Sequence, residues 1–447
     1  MYFLKYETGR VKLAHFSIKE YLVSNYLCTG TASSFHLTEE LSHSLIAQTC
    51  LVYLLQLDTF RVVYDVSEGF PLALYAAEHW ILHAQSGGID RYEPSLMLAL
   101  AIKLFTPKSI PFANWVKLLE VVMEEMQDRT AGPLYYASLA GLEQVSQHLL
   151  GKMDMNAQGG KYGTALQAAS LFNHEVIVKL LLENGADVNV QAGQYGTALQ
   201  AASLLGREVI MKLLLENGAD VNVQAGQYGT ALQAASLWGN EVIVKLLLEK
   251  GADVNVQAGQ YGTALLAASF FNCEVIVKLL LENGADVDVQ AGEYGTAFQA
   301  ASYEGHEVIV KLLLEKGADV NVQKGHYGTA LQAASLFNRE VIVKLLLEKG
   351  ADVNVQAGQY GTALQAASLW GNEVIVKLLL EKGADVNVQA GEYGTALQAA
   401  LYGGHEEIVK LLLENGAEVH AKDDNLEMDA CNFSNPSTDN LNKITVE

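Results

Sequence analysis

Cysteine is almost missing from this chain: Cys28, Cys50, Cys273 and Cys431 are the whole complement in 447 residues. None forms a CxxC pair or stands at metal-ligand spacing from a histidine, and four scattered thiols make no disulfide framework. Reduced thiols in a cytoplasmic protein are therefore expected. Positive charge is short too, with 29 Lys and Arg against 51 Asp and Glu, a net charge of −22. A field of that sign repels phosphate backbones and anionic lipid heads, so neither nucleic acid nor a membrane surface is an expected partner. The longest apolar runs, Cys50–Leu57 and Leu96–Phe105, fall well short of the ~20 residues of a membrane span. The opening "MYFLKYETGRVK" lacks the basic start and apolar core of a secretory signal.

Chemistry is missing as well. No GxxxxGK[ST] phosphate loop occurs, and Gly151-Lys152-Met153 has neither the glycine loop nor the hydroxyl. No GxSxG elbow exists. His15-Phe16-Ser17 holds a base and a hydroxyl two residues apart on a predicted strand, with no third group to orient them. His174, His306 and His405 recur at helix starts but are 99 or more residues apart, so capping or packing is expected of them, not metal binding. Cys273 takes the same position in its own segment. No cofactor, metal or small-molecule ligand is expected, and the chain is read as a non-enzyme.

What is present is a period. The tetrapeptide YGTA begins at residues 162, 195, 228, 261, 294, 327, 360 and 393, always 33 residues apart. A chain this long exceeds one compact core unless it is such an array, and a fixed period marks a solenoid of one supersecondary unit. In residues 162–194, Thr164 is placed to cap a short helix through Ala165, Leu166, Ala168 and Ala169. Asn173 breaks the chain, and a second helix follows from His174 to Glu183. Val176, Ile177, Leu180 and Leu181 are its expected apolar stripe, with Glu175, Lys179 and Glu183 on the wet side. Gly185 is the expected left-handed stop. Asp187 and its equivalents are expected to hold the following loop by local hydrogen bonds. Neither helix is long enough to stand alone, so stacking must supply the stability.

The unit resembles the ankyrin repeat, whose T-P-L-H-x-A-A-x-x-G-H pattern, Leu-rich helix and G-A-D turn appear here in altered form. Thr164-Ala165-Leu166-Gln167-Ala168-Ala169, His174, Leu180-Leu181-Leu182 and Gly185-Ala186-Asp187 carry the likeness. It departs from the family in two ways. The proline is alanine in every copy, and the histidine is glutamine, or Leu266 in one copy. The hairpin's usual Asp and Gly are replaced by Ala192 and Tyr195. The expected fold class is an all-α ankyrin solenoid of helix-turn-helix units with loop fingers, occupying residues 162–421. Residues 131–161 read as a worn first copy or cap, keeping Leu134, Ala137, Ser138 and Leu149-Leu150. Residues 422–447 read as a polar, disordered tail.

Before residue 131 there is no 33-residue period. "GRVKLAHFSIKEYLVSNYL" reads as strand, turn and helix, and "HSLIAQTCLVYLLQL", "PLALYAAEHWILHAQ", "SLMLALAIKLF" and "WVKLLEVVMEEM" read as helices. Residues 31–130 are thus a helical spacer. Val11–Val23 resembles the end of the winged-helix module of fungal NOD-like receptors, giving a remnant over residues 1–30. Cys50-Leu51, Tyr53-Leu54, Pro71-Leu72, Tyr75-Ala76-Ala77 and Trp80 resemble the helical segment that follows it. That resemblance implies a NACHT-type nucleotide-binding domain ahead of these elements and a chain that begins inside the winged helix.

Within each repeat one block varies: LFNH (171–174), LLGR (204–207), LWGN (237–240), FFNC (270–273), YEGH (303–306), LFNR (336–339), LWGN (369–372) and YGGH (402–405). Positions free to vary are expected off the stacking face. The ankyrin resemblance places the first two of each block on a concave groove that touches partners. The expected protein-binding residues are Leu171, Phe172, Leu204, Leu205, Leu237, Trp238, Phe270, Phe271, Tyr303, Glu304, Leu336, Phe337, Leu369 and Trp370. The finger positions Gln194, Gln227, Gln260, Glu293, His326 and Gln359 join them. Rows of aromatics and leucines suit recognition; unconstrained drift would sample charged and small residues more often than Glu304 and Gly403 do. The expected function is protein–protein interaction, as the ligand-recognition region of a fungal NOD-like-receptor-type protein. The alternatives are a fragment of a nucleotide-driven ATPase or GTPase switch, or an ankyrin scaffold or effector.

Overall fold

The structure, a computed structural model, describes residues 4–7, 10–13, 38–58, 72–89, 96–122, 131–292 and 294–419. His15–Ser17, Cys28, Glu293, Cys431, most of the winged-helix segment and the tail lie outside the described residues. Strands β1 (Leu4–Glu7) and β2 (Arg10–Leu13) pair antiparallel, with Leu4 opposite Leu13. Everything else regular among the described residues is helical. Contacts divide the chain into two compact units, Met1–Asp253 and Val254–Glu447.

The first unit opens with helices α1 (Glu39–Leu55), α2 (Ala73–Ser86), α3 (Leu96–Leu104) and α4 (Ile110–Val122). Thr38 caps α1, its hydroxyl accepting from Leu41 N–H at 3.1 Å, and Glu39 and Glu40 suit the positive end of the helix dipole. Ala47, Cys50, Leu51 and Leu54 are buried along one stripe of α1. Burial pushes the Cys50 thiol up to about 11, so it stays protonated and unreactive. Trp80, Phe105 and Trp115 pack ring against ring, and Trp115 Nε1–H donates to the Ala77 carbonyl at 3.1 Å.

This aromatic cluster runs directly into the first helix pair, α5 (Pro133–Leu139) and α6 (Glu143–Leu149). Tyr136 packs on Phe112 and Trp115, and Gln85 Nε2 donates to the Ala140 carbonyl at 2.7 Å. The apolar face of the end pair is thereby covered, as an open solenoid end requires. Three repeats follow in this unit: α7 (Ala165–Leu171) with α8 (Glu175–Glu183), α9 (Ala198–Leu204) with α10 (Glu208–Glu216), and α11 (Ala231–Leu237) with α12 (Glu241–Glu249).

The second unit holds five repeats. They are α13 (Ala264–Phe270) with α14 (Glu274–Glu282), α15 (Ala297–Glu304) with α16 (Glu307–Glu315), and α17 (Ala330–Leu336) with α18 (Glu340–Glu348). Then come α19 (Ala363–Leu369) with α20 (Glu373–Glu381), and α21 (Ala396–Tyr402) with α22 (Glu406–Glu414).

One repeat explains the others. Thr164 ends the extended segment and caps α7: its Oγ1 accepts from Gln167 N–H while Gln167 Oε1 accepts from Thr164 N–H at 2.6 Å. The amide nitrogen of Gln167 then donates forward to the carbonyls of Val190 and Ala192, 3.3 and 2.9 Å away, and to Gly196 O in the next repeat. Glutamine in the family's histidine place thus closes a capping box and ties two repeats together. On the outer helix the buried stripe is Ile177, Val178 and Leu181. The expected Val176 is 54% exposed and Leu180 half-buried, a shift in register of one residue caused by the angle at which α8 leans on α7. Lys179 approaches Glu183 at 3.8 Å, whereas in α10 and α12 the expected pairing with the glutamate four residues earlier forms, Lys212–Glu208 and Lys245–Glu241, both at 2.5 Å.

Gly185 (φ 90°) stops the outer helix in the left-handed region. Asp187 Oδ1 accepts from Asn189 N–H at 2.9 Å, and Asn189 Oδ1 accepts from Asp220 N–H of the next repeat, also at 2.9 Å. These aspartates hold the loop, and among the described residues no cluster of His, Cys, Asp or Glu could hold a metal. No described helix is long and apolar enough to cross a membrane.

Candidate protein-binding surface

The variable block divides into four positions with different physical duties. Its first letter is core in five of the eight repeats. Leu171, Leu204, Leu237, Leu336 and Leu369 are all buried, so the expectation that they meet a partner is corrected. Each is the last residue of its inner helix and points with that helix's apolar face into the stack. Phe270 and Tyr303 are half-buried and pack together around Tyr294, at 4.5 Å from Phe270 and 5.9 Å from Tyr303.

The third letter is a backbone requirement. Asn173, Gly206, Gly239, Asn272, Gly305, Asn338, Gly371 and Gly404 all adopt positive φ, between 55° and 86°. Asparagine and glycine are the residues that enter this region at little cost.

The fourth letter changes in spelling but hardly in chemistry. His174 Nε2 meets the Leu139 carbonyl at 3.1 Å, and Arg207 Nε donates to Leu171 O at 3.3 Å. Asn240 Nδ2 donates to Ser203 and Leu204 carbonyls, both at 3.2 Å. In the second unit His306 reaches Phe270 O at 2.9 Å, Arg339 reaches Tyr303 O at 3.0 Å, Asn372 reaches Ser335 O at 2.7 Å and His405 reaches Leu369 O at 3.0 Å. Each donates to unsatisfied carbonyls at the end of the preceding inner helix. The position stacks, contrary to the expectation that variable letters lie off the stacking face. Cys273 differs, its Sγ lying 3.6 Å from the carbonyl of Phe271 in its own turn.

Burial holds the imidazoles of His174 and His306 below their ordinary pKa, outweighing the raising effect of their carbonyl hydrogen bonds. A histidine depressed in the folded state contributes stability above pH 6.5 that is lost as pH falls through its folded value. Replacing both by asparagine, the residue found at 240 and 372, should therefore flatten the dependence of the urea midpoint on pH between 7.5 and 5. Glu304, raised by burial, works in the opposite sense at lower pH. The comparison with wild type isolates the histidine contribution; identical slopes would show that neither ring is a buried neutral donor.

The second letter is the least committed, joined at the last repeat by the first letter Tyr402, which is 47% exposed. Trp238, Trp370 and Phe172 are 46%, 41% and 37% exposed, and Leu205, Phe271, Glu304 and Phe337 are half-buried. These residues sit at or beside the ends of the inner helices, and three of the rings meet tyrosines of YGTA. Phe172 packs edge-on against Tyr162 at 5.3 Å, Phe271 against Tyr261 at 5.4 Å and Phe337 against Tyr327 at 5.6 Å. In the first unit Tyr162, Tyr195 and Tyr228 stack in a ladder, 5.8 and 5.7 Å apart. In the second, Tyr327, Tyr360 and Tyr393 do the same at 6.4 and 6.2 Å. The tyrosines were not among the expected site residues, although a tyrosine at the head of every repeat was the available signal.

The finger positions form a second row. Gln194 N–H donates to Lys161 O at 2.9 Å and Gln227 N–H to Gln194 O at 3.0 Å, and Gln194 Nε2 donates to Gln227 Oε1 at 3.0 Å. In the second unit Glu392 N–H donates to Gln359 O at 3.0 Å and Gln359 Nε2 to Glu392 Oε2 at 2.8 Å. Gln260 and His326 are exposed, and His326 stands edge-on to Tyr327 at 5.1 Å. With Ala192 and Tyr195 in place of the usual hairpin residues the finger still closes: Ala192 N–H donates to Gly196 O at 2.8 Å, with Gly193 at φ 63°.

Known proteins are similar to parts of this chain. A curated relative from Monascus ruber, "Azaphilone pigments biosynthesis cluster protein L", is 36% identical over 200 residues, 39% of this chain and 41% of that protein. The chain thus spans about two fifths of that relative's length. A crystal structure of the human ASB11 ankyrin repeat domain is similar at 28% identity and a TM-score of 0.44, over 50% of this chain and 99% of that one. The family model for ankyrin repeats (3 copies) matches residues 114–192, 134–225, 188–258, 264–357 and 355–423, most of the chain. The chain belongs to the ankyrin-repeat family.

Proposed function

We propose that this chain is a non-enzymatic protein-binding module, the ligand-recognition region of a fungal NOD-like-receptor-type protein acting in the cytoplasm. One observation carries the reading. In most repeats three letters of the variable block are committed to core, backbone conformation and inter-repeat bonding, and the remaining letter carries exposed indole and phenyl rings in each unit. Exposed aromatics of this kind have the composition of interface hot spots. The Monascus relative supports a fungal setting, the resemblance of Val11–Val23 to the end of a winged helix supports the receptor type, and the absence of a phosphate loop from the chain supports binding over catalysis.

The test is the double substitution Trp238→Ala with Trp370→Ala in the full chain. Partners recovered with wild type are identified by mass spectrometry and titrated against both proteins. Two lost anchors of about 2 kcal/mol each would weaken binding roughly 700-fold, while helical circular dichroism stays unchanged. Equal affinity in the two proteins rejects this surface.

A further inference from the structure

We infer that His43 and His83 form an acid-sensitive clasp between α1 and α2, which holds while the pair carries at most one positive charge and loosens when it takes up a second. His43 lies on α1 and His83 on α2. Their Nδ1 atoms are 2.6 Å apart and their ring centres 4.9 Å apart, so the bond joining them runs between two ring nitrogens. The outer nitrogens have neighbours too. His83 Nε2 meets the Tyr75 hydroxyl at 3.0 Å, and His43 Nε2 lies 4.0 Å from Glu39 Oε1.

Proton counting decides what this geometry permits. With both rings neutral, one Nδ1 donates and the other accepts. One added proton leaves that bond in place and makes it charge-assisted, with the cation on His43 beside the Glu39 carboxylate. A second added proton puts an N–H on both Nδ1 atoms. Two donors and two positive charges then face each other with no acceptor between them. The pair sits where the helices are closest: a Cβ on Gly87, just past the end of α2, would come within 2.6 Å of the Ser44 backbone nitrogen. Ser44 is the residue after His43, so repulsion between the rings acts on the helix contact itself.

The surrounding charges do not cancel that repulsion. α1 presents Glu39 to His43, while α2 presents Tyr75, with His79 4.7 Å from it ring to ring and Glu78 3.5 Å from His79. Lys103 on α3, and Lys117 and Glu120 on α4, are not among the groups that act on His83. Burial, then the charges of His43 and His79, hold the His83 imidazole below its ordinary pKa. The unfolded chain therefore binds more protons as pH falls. The clasp contributes stability above the ordinary histidine value of 6.5 and loses it on acidification through the folded value.

α2 is also the helix that covers the end of the array. Its Trp80 packs on Trp115, which meets Tyr136 of the first helix pair, and Gln85, two residues past His83, donates to the Ala140 carbonyl at 2.7 Å. Loosening α2 thus weakens the cover over the end pair.

The test uses the full chain with histidine labelled with 13C at Cε1, titrated in the presence of EDTA. His43→Gln or His83→Gln alone identifies both signals, one by its loss and the other by its shift. In wild type the pair should protonate in two steps separated by about one pH unit or more. In His43→Gln, His83 should protonate at higher pH than in wild type. Amide exchange followed by mass spectrometry, corrected for the intrinsic effect of pH, should be about tenfold faster in α1 and α2 at pH 5 than at pH 7.5. His83→Gln should lose that acceleration. Both rings protonating together in a single step, or equal acid acceleration in wild type and His83→Gln, overturns the proposal.

Discussion

Leu237→Ala is expected to destabilise the array by about 2–5 kcal/mol, while Trp238→Ala at the next residue changes stability by about 0.5 kcal/mol or less. The two letters are neighbours in the same variable block, and both are large and apolar. Leu237 is 2% exposed and Trp238 is 46% exposed. Truncating the leucine removes buried methyl groups and leaves a cavity between inner helices that cannot close without moving the neighbouring repeats. Truncating the tryptophan removes surface that water already reaches. Urea unfolding followed at 222 nm separates the two, and midpoints displaced equally by both variants would mean that the block is not divided between core and surface.

Gln200→Ala is expected to cost about 2–4 kcal/mol, from a lost capping box and several buried groups left without partners. Gln200 Oε1 accepts from Thr197 N–H at 2.6 Å, and its own N–H donates to Thr197 Oγ1 at 3.2 Å. Its Nε2 faces the carbonyls of Val223, 3.3 Å away, Ala225, 2.9 Å away, and Gly229. Alanine removes the side-chain bonds and opens a void, while its backbone N–H keeps donating to Thr197 Oγ1. Leucine, which occupies the equivalent place at Leu266 and is fully buried there, restores the volume without the bonds. The expected order of urea midpoints is wild type, then Gln200→Leu, then Gln200→Ala. A midpoint for Gln200→Ala equal to wild type would show that the glutamine tie between repeats contributes nothing.

The helix pairs were legible because their signals are local. Thr164 as cap, Asn173 and Gly185 as left-handed breaks and Asp187 as loop holder each follow from a residue's own conformational preference. The outer-helix stripe was legible only to within one residue. Val176 and Ile177 are equally apolar, and the angle between two packed helices decides which of them faces inward.

The division of the variable block into buried and exposed letters was not legible for the same reason. Variation marked a four-letter block, but variation does not distinguish an unconstrained position from one constrained by chemistry alone. His174, Arg207 and Asn240 look unrelated as letters, yet all donate to a carbonyl at the end of the preceding inner helix. Leu171 and Phe172 look alike as letters, yet one is core and the other is 37% exposed.

The amino-acid sequence by itself determined the repeat, its length, its two helices and its family, because these depend on periodicity and on local backbone preference. Only the tertiary structure decided which letters face solvent. That choice depends on the side chains of the preceding and following repeats, 33 residues away, and on which carbonyls and rings they bring within reach.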